Sequence, residues 1–155
     1  MDEFIPESSK EDEAARLLQE GYEKQMAGNI EEAITLYLKS IASKPSPEAH
    51  TFLGWAYSFK GNYGDAIREC EKAIRLDPDY GNPYNDIGAY LIETGRLDEA
   101  IPWLEKAVAA KRYDGHFYAH YNLGRAWEHK GDWATALSNY EATLKLNPQY
   151  SLAEK

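Results

Sequence analysis

The chain has 155 residues, of which 43% are hydrophobic and 28% charged, and its formal net charge is −9. This length suits one domain, and the acidic excess argues against non-specific binding to nucleic acids or anionic membranes, which both depend on lysine and arginine. The single cysteine, Cys70, excludes an internal disulfide. No hydrophobic run is long enough for a signal peptide or a membrane span, so we expect a cytoplasmic protein.

The beginning of the chain is strongly acidic. Residues 1–13 contain six acidic residues and a single basic one, Lys10. Segments of this composition usually stay solvated and loose. We therefore predict a flexible acidic tail over residues 1–13. Such a tail could recruit a basic partner, but a plain solvated leader is the simpler interpretation.

A glycine-containing pattern occurs four times in the rest of the chain. Each copy has a glycine, then a large apolar residue, then an alanine followed by isoleucine or leucine. The four copies span Gly28–Ile34, Gly61–Ile67, Gly95–Ile101 and Gly131–Leu137. The copies lie about 34 residues apart, which in a helix-forming sequence indicates a stack of helical hairpins.

We therefore predict four helix-turn-helix repeats over residues 14–148. Their expected boundaries are 14–46, 47–80, 81–116 and 117–148. In the second repeat, helix A should run from about Pro47 to Lys60 and helix B from about Tyr63 to Leu76. Apolar residues recur at helical spacing in both segments. The glycine at the turn can end helix A, and Pro78 ends helix B.

The third repeat departs from this pattern. Arg112 stands where the other repeats have a proline, and two extra residues follow it within the segment 111–116. We expect a longer helix B with a looser turn at this place. The alternative is a contact loop, because the segment is basic and aromatic in an otherwise acidic chain.

The carboxyl-terminal end is the second departure. Residues 149–155 follow Pro148, and we interpret them as a short remnant of a capping helix. Stacked repeats normally end in a helix with a polar outer face, and about two turns are too short to supply one. Leu137, Tyr140 and Leu144 would then keep an incompletely buried face. Self-association through this end is therefore one hypothesis.

These repeats resemble the tetratricopeptide repeat family. The family motif has a small residue in helix A, alanines in helix B and a proline after helix B. The second repeat matches it with Gly54, Ala66, Ala73 and Pro78, and the resemblance covers roughly residues 14–148. It implies an all-α, right-handed superhelix (a solenoid) of four hairpins. In that fold, helix A of each repeat lines a concave groove.

The resemblance also implies which side chains would face the groove. They form an aromatic group, which is typical of anchors for a partner, and a polar group, whose amides can pair with a peptide backbone. The aromatic group is Tyr22, Phe52, Trp55, Phe59, Tyr118 and Tyr121. The polar group is Asn82, Asn85, Asp86, Asn122 and Arg125. The alternative for several of the aromatic residues is packing in the core between repeats.

The resemblance also allows one kind of partner to be tested. Some family members clamp the terminal carboxylate of a chaperone tail with lysine, arginine and asparagine. This chain lacks the cations at the matching places, which hold Leu18, Tyr22, Phe52, Asn82 and Asp86. An aromatic groove with acidic members better suits an apolar protein or peptide segment with basic flanks.

Other functions have little support in the sequence. His116 and His120 lie four residues apart on one predicted helix, but a metal site needs further ligands. His50, His120 and Cys70 occupy places where the family has packing residues. We therefore expect no metal, no cofactor and no enzyme activity. The predicted function is a protein-binding scaffold or adaptor, and the alternative is a self-assembling structural unit.

Overall fold

The computed structural model describes residues 6–150, in which all regular structure is helical apart from one isolated β-bridge. The helices are α1 Glu7–Met26, α2 Ile30–Ser43, α3 Pro47–Phe59, α4 Tyr63–Leu76, α5 Asn82–Glu93, α6 Leu97–Ala109, α7 His116–His129 and α8 Trp133–Leu146. They form two compact units, Met1–Leu76 with α1 to α4 and Asp77–Lys155 with α5 to α8. The all-α class and the pairing of helices predicted from the sequence are confirmed.

Each hairpin turns at the glycine of the repeated pattern. The backbone there takes a positive φ, a conformation that side chains with a Cβ rarely adopt. The four values are 87° at Gly28, 77° at Gly61, 78° at Gly95 and 85° at Gly131. At Gly61, for example, the backbone N–H bonds to the carbonyl of Ser58, and the next N–H reaches back to Tyr57. The glycine therefore ends helix A and aims the chain into helix B.

The two helices of a hairpin approach closely where helix A has a second glycine. A Cβ built on Gly21 would lie 2.5 Å from the ring of Tyr37, and one on Gly124 would lie 2.5 Å from the ring of Tyr140. In α5, a Cβ on Gly88 would overlap the Leu104 side chain. In these three hairpins, helix B thus places a large side chain directly over the glycine of helix A.

The first helix begins earlier than expected. Helix α1 starts at Glu7, so residues 7–13 are helical and the flexible tail predicted over residues 1–13 is wrong for them. Residues 1–5 lie outside the described range. The reason is contact with the end of α2, where Lys44 forms an ion pair with Glu7, and Ser43 donates a hydrogen bond to the Lys10 carbonyl oxygen.

The third repeat also differs from expectation. Helix α6 ends at Ala109 and is not lengthened, so the longer helix B predicted there is wrong. The extra residues form a loop that lies against the segment preceding α5. The Arg112 backbone N–H bonds to the Asp79 carbonyl at 2.9 Å, and the Gly81 N–H bonds to the Arg112 carbonyl at 3.1 Å. These two bonds join the loop to its own unit, and a contact of the loop with a partner stays a prediction.

Candidate partner-binding site

The aromatic residues predicted on α1 and α3 come together in the first unit. We call Tyr22, Phe52, Trp55 and Phe59 the aromatic face. The ring of Tyr22 stacks on Trp55 with 6.3 Å between centroids, and Trp55 meets Phe59 edge-on at 5.2 Å. Phe52 lies 5.8 Å from Tyr22 and 6.0 Å from Trp55. The four side chains therefore form one continuous apolar surface.

This face is only partly covered by the protein. The exposed fraction is 37% for Tyr22 and 57% for Phe59, and Trp55 is half-buried. Phe52 also packs against the buried Tyr37 at 5.9 Å and belongs in part to the core, as the alternative interpretation held for some of these rings. Beside them Met26 is 62% exposed. Exposed aromatic rings that contact one another lose little entropy when a partner covers them.

The polar residues predicted on α5 and α7 form a bonded chain in the second unit. The Asn122 side chain donates to the Asn85 Oδ1 at 3.0 Å, and Arg125 donates to the Asn122 Oδ1 at 3.1 Å. Arg125 also pairs with Glu93 at 2.9 Å. Because Asn85 and Asn122 are both buried and joined to each other, they hold α5 to α7. This structural role was not predicted from the sequence.

Asp86 is the exception among these polar residues. Its side chain is half-buried and makes no hydrogen bond or ion pair to any residue in the range 6–150. Burial raises the pKa of the Asp86 carboxyl to about 7, because a charged carboxylate loses hydration there. Asn82, at the first position of α5, is also half-buried.

Tyr118 and Tyr121 on α7 meet a residue outside the predicted set. Tyr150 contacts both edge-on, with ring centroids 5.4 Å from Tyr118 and 5.2 Å from Tyr121. Tyr121 also lies 5.8 Å from Tyr140 and is half-buried, whereas Tyr118 stays 45% exposed. Tyr118 is thus the more accessible of the two. The position of Tyr150 could have been predicted from the sequence, because Tyr150 follows Pro148 by two residues just as Tyr80 follows Pro78.

The histidines at packing positions bond within their own hairpins. His50 is buried, and its Nδ1 lies 2.7 Å from the Glu69 carboxylate, which also accepts a hydrogen bond from Lys72. Burial opposes ionisation of Glu69, but the bonds from His50 and Lys72 outweigh it and lower its pKa. His120 lies 3.3 Å from Asn139 at the equivalent place in the last hairpin. These contacts support the packing interpretation.

Residues 6–150 contain neither a candidate metal site nor a helix that could cross a membrane. Across these residues, no three His, Cys, Asp or Glu side chains are grouped so that they could hold a metal ion. None of the helices there is both long and apolar enough to cross a membrane.

A second apolar surface lies on α8. Trp133 is 65% exposed and Leu137 is 56% exposed, and the two are one helical turn apart. Tyr140 and Leu144, which we expected to share this surface, are half-buried. Tyr140 is covered because it packs over Gly124 and donates a hydrogen bond to Glu128. The exposed apolar side chains of the last helix are therefore Trp133 and Leu137 in its first half and Leu146 at its end, which is 56% exposed.

Comparison with known proteins identifies the repeats. Three sequence profiles described as tetratricopeptide repeat match residues 47–80, 69–101 and 86–151. A small glutamine-rich tetratricopeptide repeat-containing protein from Mycosarcoma maydis is 33% identical over 96 residues, which are 61% of this chain. The chain spans 27% of that relative's length.

Solved structures show the same fold. Pseudomonas aeruginosa pilF superimposes with a TM-score of 0.87 and 25% identity, covering 93% of this chain and 65% of pilF. The first tetratricopeptide domain of Spaghetti (RPAP3), solved with the HSP90 peptide SRMEEVD, gives a TM-score of 0.72 at 24% identity over 78% of this chain and 98% of that one. Together with the profile matches, this shows that the chain belongs to the tetratricopeptide repeat family.

Proposed function

We propose that this chain is a non-enzymatic scaffold or adaptor that binds a partner protein through helix A of its repeats. The bound segment of the partner is apolar and has basic flanks. Tetratricopeptide proteins generally mediate protein–protein interactions, which supports the class of function. The observation that carries the proposal is the aromatic face of the first unit, where Tyr22 and Phe59 remain exposed although they contact Trp55. Partner-binding hot spots are enriched in such aromatic anchors.

The missing cations in helix A of the repeats indicate the chemistry of the partner. The HSP90 peptide bound by the Spaghetti domain contains two glutamates and an aspartate. The places where this chain would need cations to hold such a peptide have Leu18, Asn82 and Asp86 instead. An acidic tail would meet an acidic chain, whereas a peptide with basic flanks would not. Apolar residues of the partner would cover the aromatic face.

The test is a peptide-display selection on the wild-type protein, followed by fluorescence polarisation with the selected peptides. We expect Trp55→Ala to weaken binding about thirtyfold or more, the size of effect that marks a hot spot. Phe59→Ala should weaken it as well. The Phe59 side chain is 57% exposed, so we expect the variant to fold normally, which circular dichroism will verify. Trp133→Ala is the matched control, because Trp133 is equally aromatic but lies on α8.

Two results of this experiment would contradict the proposal. Retained affinity in both aromatic-face variants would refute the proposal. So would an equal loss in Trp133→Ala, because the binding would then not depend on the aromatic face.

A second candidate function is assembly with further copies of this chain through α8. The observation that favours it is the exposed pair Trp133 and Leu137. The exposed charges of α8 are one acid, Glu141, and one base, Lys145. A neutral face lets two copies of a chain with net charge −9 meet with less repulsion there.

Sedimentation velocity over a range of protein concentrations tests this candidate. If copies assemble through α8, the wild-type protein should gain mass with concentration, and Trp133→Ser with Leu137→Ser should stay monomeric. Met26→Ser serves as a control for removing an exposed apolar side chain elsewhere. A wild-type protein that stays monomeric at high concentration would rule this function out.

A further inference from the structure

Helices α2, α6 and α8 each begin with an apolar pair, formed by their first and fifth residues. The pairs are Ile30 with Ile34, Leu97 with Ile101, and Trp133 with Leu137. The fifth residue is only 8% exposed in α2 and in α6, but it is 56% exposed in α8. The α8 pair, Trp133 and Leu137, is therefore a kind of surface that this chain covers at the equivalent places of α2 and α6 and leaves open here.

The next helix A along the chain covers the pair in α2 and in α6. In the first unit, Leu53 and Ala56 of α3 belong to one buried cluster with Ile34, and Ile30 packs against that cluster. In the second unit, α7 lies against α6. Both covering helices have alanine, leucine and alanine at the same spacing, and all of these residues are buried: Ala49, Leu53 and Ala56 in α3, and Ala119, Leu123 and Ala126 in α7. The small residues let the two helices approach, and the leucine fills the space between them.

An ion pair shows the direction of each covering helix. Lys60, at the end of α3, pairs with Glu31, the second residue of α2, at 2.6 Å. Lys130, at the end of α7, pairs with Asp98, the second residue of α6. The covering helix therefore runs antiparallel to helix B, and its lysine follows the first alanine by eleven residues. In α8 the second residue is Ala134, which offers no counter-charge to such a lysine.

The first helix of another copy of this chain is a poor match for the α8 pair. At the places that hold alanine, leucine and alanine in α3 and α7, helix α1 has Arg16, Glu20 and Glu23. The side chains of Arg16 and Glu20 pair with each other at 2.6 Å and are 58% and 44% exposed. Packing an apolar surface against these charges would remove them from water at a cost in free energy. End-to-end stacking of α8 on α1 is therefore disfavoured.

We propose that the α8 pair binds an amphipathic helix of a different protein, which carries a leucine between two small residues at the spacing of α3 and α7 and runs antiparallel to α8. This helix covers Trp133 and Leu137 as α3 covers the equivalent pair of α2. It needs no lysine at the place of Lys60, because Ala134 stands where α2 and α6 have an acid. The inference goes beyond the proposed function and is an alternative to assembly through α8, since one surface cannot hold both occupants.

The test uses a lactam-stapled helical peptide that is labelled with fluorescein. It has alanine, leucine and alanine at the spacing of α3, with polar residues of zero net charge elsewhere. In fluorescence polarisation we expect saturable binding to the wild type and about tenfold or more weaker binding to Leu137→Ser, as for a leucine side chain that becomes buried. The matched control is Leu146→Ser. Leu146 is equally exposed on the same helix, but it lies nine residues further on and therefore on the opposite side.

A second peptide tests the pattern itself. It has the same composition, but its leucine is moved by two positions, so that leucine and alanines no longer share one face of the helix. We expect it to bind the wild type at least tenfold more weakly than the first peptide. No saturation with the first peptide, equal binding of the two peptides, or equal losses in Leu137→Ser and Leu146→Ser would each overturn the inference.

Ala134→Glu tests the direction of the bound helix, because it places an acid where α2 and α6 have one. Two peptides are compared, with lysine or glutamine eleven residues after the first alanine. We expect Ala134→Glu to raise the preference for the lysine peptide about twofold to fivefold over that of the wild type, the effect of an exposed ion pair. Ala134→Gln, the uncharged control, should not change it. An unchanged preference in Ala134→Glu would refute the arrangement taken from α3 and α7, and with it the inference.

Sedimentation velocity distinguishes a partner helix from a second copy of the chain. We expect the wild-type protein to bind the peptide as a monomer. If the protein instead forms a dimer that Leu137→Ser dissociates and the peptide does not, the second copy occupies the α8 pair and the inference is overturned. Trp55→Ala should leave the affinity for the helical peptide unchanged, since the aromatic face takes no part. An equal loss in Trp55→Ala and Leu137→Ser would refute the assignment to α8.

Discussion

Single residues decide how closely the two helices of each hairpin can approach. In the first, third and fourth hairpins the close contact comes from a glycine in helix A under a large side chain of helix B, which is Tyr37, Leu104 or Tyr140. Tyr37 shows why a polar end does not prevent this burial, since its hydroxyl donates to the Gln25 Oε1 at 2.7 Å. Tyr140 does the same with Glu128. The ring supplies apolar contact, and the hydrogen bond satisfies the hydroxyl.

A matched pair of glycine substitutions tests this geometry. Gly88→Ala should lower the free energy of unfolding by about 1–3 kcal/mol, because its Cβ would overlap the Leu104 side chain, which is fully buried and cannot move aside. Gly64→Ala should leave stability unchanged or raise it by up to about 1 kcal/mol, because Gly64 is helical and only the Arg68 side chain lies within reach, at 3.7 Å. Urea unfolding measures both. Equal effects of the two substitutions would show that close approach does not limit α5.

Among the elements, those that follow the repeat period could be predicted, and those that depend on distant contacts could not. The hairpins and their glycine turns are local, because a glycine with positive φ and a proline after helix B act on their own neighbours. The start of α1 is not local. It depends on Ser43 and Lys44, which lie more than 30 residues along the chain from Lys10 and Glu7.

The same limit applies to the candidate site. The aromatic face was predictable because its residues share positions in neighbouring repeats. The bond between Asn85 and Asn122 spans 37 positions, and a pairing of two amides leaves no trace in composition or spacing. The packing of Tyr113 over Gly81 was not predicted for a different reason: Tyr113 lies in the two-residue insertion, where the repeat pattern gives no register. Repeat position therefore predicted which aromatic rings come together, but not which polar groups bond to one another.

The loop before α7 is an element that the insertion creates. Arg112 anchors it by donating to the Asp77 carboxylate at 2.8 Å and by lying over the Tyr80 ring, 4.2 Å from its centroid. The hydrogen bonds from Arg112, followed by one from the Asp79 backbone, keep the pKa of Asp77 below its ordinary value. The loop is thus tied to the segment before α5 by side chains as well as by the bridge between Tyr80 and Arg112.

Arg112→Ala should loosen this loop without unfolding the unit. We expect only a small loss in the free energy of unfolding, because exposed ion pairs contribute little. Hydrogen exchange at the Gly81 amide should become faster, because that amide bonds to the Arg112 carbonyl. Lys111→Ala, which removes the adjacent exposed charge, is the control. Unchanged exchange at Gly81 in Arg112→Ala would mean that the backbone bridge holds the loop by itself.

At the scale of the whole molecule, the net charge of −9 acts on any partner before contact. Opposite charges speed the diffusional encounter, and salt screens this effect because the Debye length is about 8–10 Å near physiological ionic strength. The aromatic face, in contrast, does not speed the encounter with the partner. Its contact forms only once the partner has arrived, so it acts mainly on the rate of dissociation.

Salt should therefore separate the two contributions. For a selected peptide with basic flanks, we expect the association rate to fall about tenfold between low salt and roughly 0.5 M salt, with a much smaller change in the dissociation rate. A peptide with the same apolar centre and glutamine flanks should associate at nearly the same rate throughout. Stopped-flow fluorescence of the four tryptophans can follow both peptides, since the partner would cover Trp55 and change the signal. If the two peptides show the same salt dependence, the acidic charge of the chain does not select basic flanks, and the apolar surface alone would determine which partner binds.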